Sequence, residues 1–100
     1  MQPTIIDGTA LTTPQKKDLL NRLARVEGQL RGVQKLIALA EAPTDIEVVA
    51  QQMAAARKAL DRAFVQLLAG AIVTQSGNAP DLEQAQANAE SLAVLLEKYA

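Results

Sequence analysis

The chain has 100 residues, a formal net charge of −1 and an apolar half that contains only two aromatic residues, Phe64 and Tyr99. It has no Cys and no His, which excludes disulfides, zinc sites of the usual kind, thiol catalysis and imidazole acid–base chemistry. No signal peptide opens it and no apolar run reaches the roughly 18 residues of a membrane span, so a single-domain cytoplasmic protein without membrane contact is expected. A chain of this size buries only about two-thirds of its unfolded surface. Ala-rich helices with long apolar seams recover the remainder by association, and an oligomer follows.

Residues 1–12 carry no clear period. Asp7-Gly8 signals a turn, and the segment reads as a flexible N-terminal arm. The remainder, 13–100, reads as one helical domain. Thr13-Pro14 marks a helix start, with Thr as N-cap and Pro at the first helical position. The first helix is expected from about 14 to 40. Leu19, Leu23, Val26, Leu30, Val33 and Ile37 recur at alternating four- and three-residue steps and form one seam. Arg22, Arg25 and Gln29 flank it on one edge; Lys17, Arg31 and Lys35 fall on the opposite side. Gly28 and Gly32 inside this helix each cost about 1 kcal/mol against Ala. They mark either a close approach of another backbone or ligand, or tolerated positions.

Ala42-Pro43 breaks the first helix. Thr44 to Glu47 fits a capping box, so a second helix is expected over about 44–75. Its seam is Ile46, Val49, Met53, Ala56, Leu60, Ala63 and Leu67, widened by Phe64, Leu68 and Ile72. Ser76-Gly77-Asn78 should end it. The short break makes an antiparallel hairpin whose seams are too wide to cover each other, and pairing two hairpins into a four-helix bundle solves this. Pro80-Asp81 starts a third helix, about 80–98, with acidic residues suited to the helix dipole. Leu82, Ala85, Ala89, Leu92, Leu96 and Tyr99 share one face, and Val94 and Leu95 add an edge. The fold class is all-α.

No enzyme constellation is visible. Ser76 and Ser91 have no His partner, and the capping role accounts for Glu47 near Asp45. No phosphate loop and no hard-cation cage can be recognised, and no cofactor is implied. The basic residues are another matter. Nine of the ten Lys and Arg residues precede Ala63: Lys16, Lys17, Arg22, Arg25, Arg31, Lys35, Arg57, Lys58 and Arg62. From Ala71 onward, Lys98 stands against Asp81, Glu83, Glu90 and Glu97. An antiparallel hairpin brings Arg22 and Arg25 near Arg62. Symmetric pairing would repeat that cluster into a positive face of the kind that binds nucleic-acid backbone. Ordinary solvated helix faces give a similar pattern.

The string Arg22-Leu23-x-Arg25-Val26-Glu27-Gly28-Gln29-Leu30-Arg31-Gly32, followed by Gln52-Met53-x-Ala55-x-Arg57-x-Ala59-Leu60-Asp61-Arg62, closely resembles the CsoR/RcnR/FrmR family of small helical repressors. The resemblance runs from about Lys16 to Gln75. It implies a three-helix protomer, an antiparallel four-helix-bundle dimer and a dimer-of-dimers tetramer that binds operator DNA without a helix-turn-helix. Arg25 and Arg62 match positions that carry DNA binding in the family. Arg22, Gln29, Arg31 and Arg57 match its signature, and Lys16 and Lys17 join them by charge. The family's metal sensors place a Cys, a His and a second Cys where this chain has Ile46, Ala71 and Gln75, sharing the ligands across the dimer interface. Those three positions are vacated here: copper and nickel need donor atoms that Ile and Ala lack. A repressor whose assembly is locked in one state, or one that answers to another ligand, is expected. A filled, dry interface at the vacated positions is favoured over a pocket for a small apolar molecule. The alternative is a helical oligomeric interaction module, or a partner subunit, that has left DNA; the near-neutral charge favours it.

Overall fold

In the computed structural model, which describes residues 3–99, three helices follow one another: α1 (Thr13–Leu39), α2 (Asp45–Asn78) and α3 (Leu82–Tyr99). Among the described residues there is no strand.

Local contacts set the helix boundaries, and three of them differ from the sequence expectation. The N-cap of α1 is Thr12, not Thr13. The Thr12 hydroxyl accepts from the Gln15 amide at 3.2 Å, and Gln15 Oε1 accepts from the Thr12 amide at 2.7 Å. A capping box needs an acceptor three residues on. Thr12 finds it in Gln15, whereas Thr13 would meet Lys16, which has none. Thr13 instead donates its hydroxyl to Asp7 Oδ1 at 2.6 Å, and Lys16 Nζ donates to the Ile6 carbonyl. These two bonds lay the arm against the first turns of α1, with Ile5 and Leu11 half-buried.

The box expected at Thr44 and Glu47 does not form. Thr44 is already in the right-handed helical region and makes no side-chain cap. Asp45, the first residue of the helix, ties the preceding turn instead: its Oδ2 accepts from the amides of Glu41 and Ala42, both at 3.0 Å. Those two N–H donors hold the Asp45 carboxyl below its ordinary value of 3.8. Because the unfolded chain binds this proton more readily, the stabilisation is fully present above the ordinary carboxylate range and is lost as pH falls through the folded value. Asp45→Ala should therefore lower the thermal midpoint at pH 7. The gap to wild type should close on acidification below that range, read by circular dichroism melts across a pH series.

α2 runs three residues past the expected end, to Asn78. Gly77 keeps a negative φ, so no left-handed cap stops the helix there. Pro80 stops it: the residue before a proline is driven out of the helical region, and Ala79 is extended at ψ 138°. Asp81 then caps α3, its Oδ1 accepting from the Gln84 amide at 2.8 Å.

α2 lies in the middle, with α1 antiparallel along it and α3 packed on its C-terminal half; α1 and α3 do not touch. The result is a slab of 60 × 30 × 12 Å, thin in one direction by the width of a single helix. Its radius of gyration is 17.9 Å, against about 13 Å for a compact chain of this length.

The apolar seams divide along the heptad. Val26 and Val33 of α1 are buried together with Val49, Ala56 and Ala63 of α2, each set spaced by seven. The alternate set points outward: Leu30 and Ile37 on α1, and Ile46, Met53, Leu60 and Leu67 on α2, are all exposed. The small members of the seam thus hold the hairpin together, and the large ones form a second, uncovered stripe. A smaller core joins Leu68, Ala71 and Leu92, flanked by Leu11 and Phe64. Of the face expected on α3, Leu92 is buried and Ala85 and Ala89 half-buried, while Leu82, Leu96 and Tyr99 remain exposed.

Candidate nucleic-acid interface

The antiparallel register of α1 on α2 is fixed by a polar contact near the chain's open end. Gln15 Nε2 donates to the Gly70 carbonyl at 3.4 Å, and the buried Thr74 hydroxyl donates to Gln15 Oε1 at 2.7 Å. Gly70 permits the approach. A Cβ there would stand 3.3 Å from Leu11 Cδ2 and 3.5 Å from Gln15 Nε2. Gly28 and Gly32, by contrast, face open space in the protomer, so no intrachain approach requires them.

Two turns along, Asp18, Asn21, Arg22 and Arg25 of α1 line a cleft of about 430 Å3 with Gln66 of α2. Arg22 is half-buried, and its Nε is enclosed without a hydrogen-bond partner; the same is true of Gln66 Oε1. Arg25 is exposed at the rim. Carried one helical turn further, the register sets Arg62 at the level of Arg25, and further still Arg57 at the level of Arg31. The two levels are about 9 Å apart along the hairpin at 1.5 Å per residue. Among the described residues, Arg25 and Arg62 enter no hydrogen bond or ion pair, so their charge is not neutralised within the protomer.

The remaining sequence candidates scatter. Lys16 is taken up by the arm: it lines an apolar cleft of about 300 Å3 with Ile5, Leu11, Leu19, Leu20 and Leu23. Lys17, Gln29 and Arg31 are exposed and lie outside the Arg22 cleft, as does Arg57. Gln66 was not a sequence candidate. An uncharged side chain on a seam edge carries no charge signal; its place four residues after Arg62, on the same helical edge, was the available hint.

The three positions that the resemblance aligns with the family's sensor ligands, Ile46, Ala71 and Gln75, do not come together within the protomer. Ile46 stands exposed at the start of α2, and 25 residues on, about 38 Å along the helix, Ala71 is buried against Leu68 and Leu92. Gln75 is half-buried in a polar cleft with Asn78, Gln84 and Asn88. No small-molecule pocket unites the three in one chain. Nor do the residues fit a metal ion. The chain has no Cys or His, and among the described residues no group of three Asp or Glu side chains is close enough to hold one. A methyl in an apolar core supplies no ligand atom.

Comparison with curated proteins and with solved structures returns no match. A family model described as metal-sensitive transcriptional repressor matches residues 15–98, from the first turn of α1 to the last of α3. By that match the chain belongs to the metal-sensitive transcriptional repressor (CsoR/RcnR) family.

Proposed function

We propose that this protein represses transcription by binding DNA as a homo-oligomer, a tetramer built from paired hairpins, in the cytoplasm, and that it does not sense metal through the site its relatives use. The family is one of repressors, not of enzymes. Among the described residues no helix is long and apolar enough to cross a membrane. The observation that carries the proposal is the gathering of Arg22 and Arg25 at one cleft, with Arg62 at the same level of α2 and no internal partner for Arg25 or Arg62. The uncovered Leu, Ile and Met stripes support the oligomer: a second hairpin laid on them would repeat the arginines by symmetry. Contacts would go chiefly to phosphate, with Lys17, Gln29, Arg31 and Arg57 extending the face.

An electrophoretic mobility shift against the DNA upstream of its own gene tests this reading. A complex that weakens steeply with salt and is indifferent to added copper or nickel is expected. Absence of binding at low salt, or a metal-dependent change in affinity, overturns it. A net charge of −1 and an acidic α3 favour the second reading, an oligomeric interaction module without DNA. An intact oligomer that ignores DNA at low salt would establish that one.

A further inference from the structure

We infer that in the cleft between α1 and α2 Arg22 and Gln66 read base edges and set sequence preference, while Arg25, exposed at the rim, stays on phosphate. The inference rests on the reading that the protein binds DNA and names what this part of the surface does there.

The side chains at the cleft are of the reading kind. Arg makes bidentate contacts to guanine O6 and N7, and Asn and Gln make them to adenine N6 and N7. The cleft also holds Asp18. A carboxylate beside the arginines repels phosphate, yet it can accept from a cytosine amino group. A pure phosphate grip would not be built around it.

Arg22 is held differently from the cations around it. Its stem is half-buried and its Nε enclosed, so the terminal nitrogens are the part of the guanidinium the cleft can present. A guanidinium fixed at its stem aims its fork in one direction, which suits a base edge. Lys17 and Arg31 are exposed on long stems and can follow a phosphate wherever it falls.

Gln66 completes the site. Its Oε1 is enclosed without a donor, and Arg22 Nε is enclosed without an acceptor, in the same cleft. Both are unfavourable as they stand. The terminal torsion of a Gln side chain is soft, so the amide can turn its oxygen out to an adenine amino group and take its partner there.

Selection from a random-sequence duplex pool tests the inference. Wild type, Gln66→Ala, Gln66→Glu, Arg22→Lys and Lys17→Ala are compared, with helical content checked by circular dichroism and salt dependence measured for each. Gln66→Ala and Arg22→Lys leave the net charge unchanged. Each is expected to lose preference at one or two positions of the wild-type motif, by roughly 5- to 150-fold per base pair, with an unchanged salt slope. Gln66→Glu should move the preference toward cytosine. Lys17→Ala should weaken all sequences alike and lower the slope by about 0.9 per phosphate contact removed. Folded Gln66→Ala and Arg22→Lys proteins that enrich the wild-type motif unchanged overturn the inference. A wild type that binds DNA but enriches no motif overturns it too, while leaving the proposed function standing. A wild type that binds no DNA overturns both.

Discussion

Leu60→Glu is expected to reduce the assembled protein to monomers and to abolish its cooperative unfolding transition near neutral pH. Leu60 is half-exposed in the protomer, in the middle of the Ile46–Met53–Leu60–Leu67 stripe. A slab one helix thick has no second layer of its own to cover that stripe. Covering a leucine contributes about 1.5–3 kcal/mol. A glutamate there loses that gain and must also be desolvated without a partner, at a cost of several kcal/mol, in every symmetry-related copy. The whole stability of a small domain is about 5–15 kcal/mol, so one such change repeated by symmetry is enough. Sedimentation velocity separates the outcomes, with Gln51→Glu, on an exposed residue of the same helix outside the stripe, as the control. A Leu60→Glu protein that sediments as the wild-type oligomer would remove the stripe from the interface.

The double variant Arg25→Ala, Arg62→Ala should weaken DNA binding by on the order of 100-fold or more near physiological salt, because each lost phosphate contact removes about 0.9 from the logarithmic salt slope and the loss recurs in each subunit. Both side chains are exposed and without a partner among the described residues, so helical content and melting should stay near wild type. Fluorescence anisotropy over a salt series gives affinity and slope together. Wild-type affinity in the double variant would place the polyanion on another surface.

The three helices were legible because their signals are periodic: Leu19 to Ile37 and Ile46 to Leu67 repeat every three or four residues over several turns. What the period does not carry is which half of a seam faces inward. Val26, Val33, Ala56 and Ala63 are buried and Leu30, Ile37, Met53 and Leu60 are not, because two helices of one chain approach closely over small side chains and leave the large ones for another layer. The misjudged boundaries share a different cause. Thr12 and Thr13 are equally good caps by type, and the choice fell to Thr12 because Gln15 offered it the complementary atom. Thr44 makes no side-chain cap, and Asp45 instead accepts from the amides of Glu41 and Ala42 in the turn before α2. Arg22 and Arg25 were visible as charge. Gln66 was hidden because a neutral amide becomes part of a site only once the helix register is known.

Gln15 serves two masters at the start of α1: its one side-chain oxygen accepts both from the Thr12 amide and from the Thr74 hydroxyl. Unwinding the first turn would deprive the buried Thr74 hydroxyl of its acceptor, so this terminus cannot fray on its own as helix ends ordinarily do. Lys17 and Arg22 therefore ride on a segment anchored to the neighbouring helix before any polyanion arrives. For the DNA docking proposed above, little backbone freedom would be left to lose, and the affinity that ordering would otherwise consume would be retained.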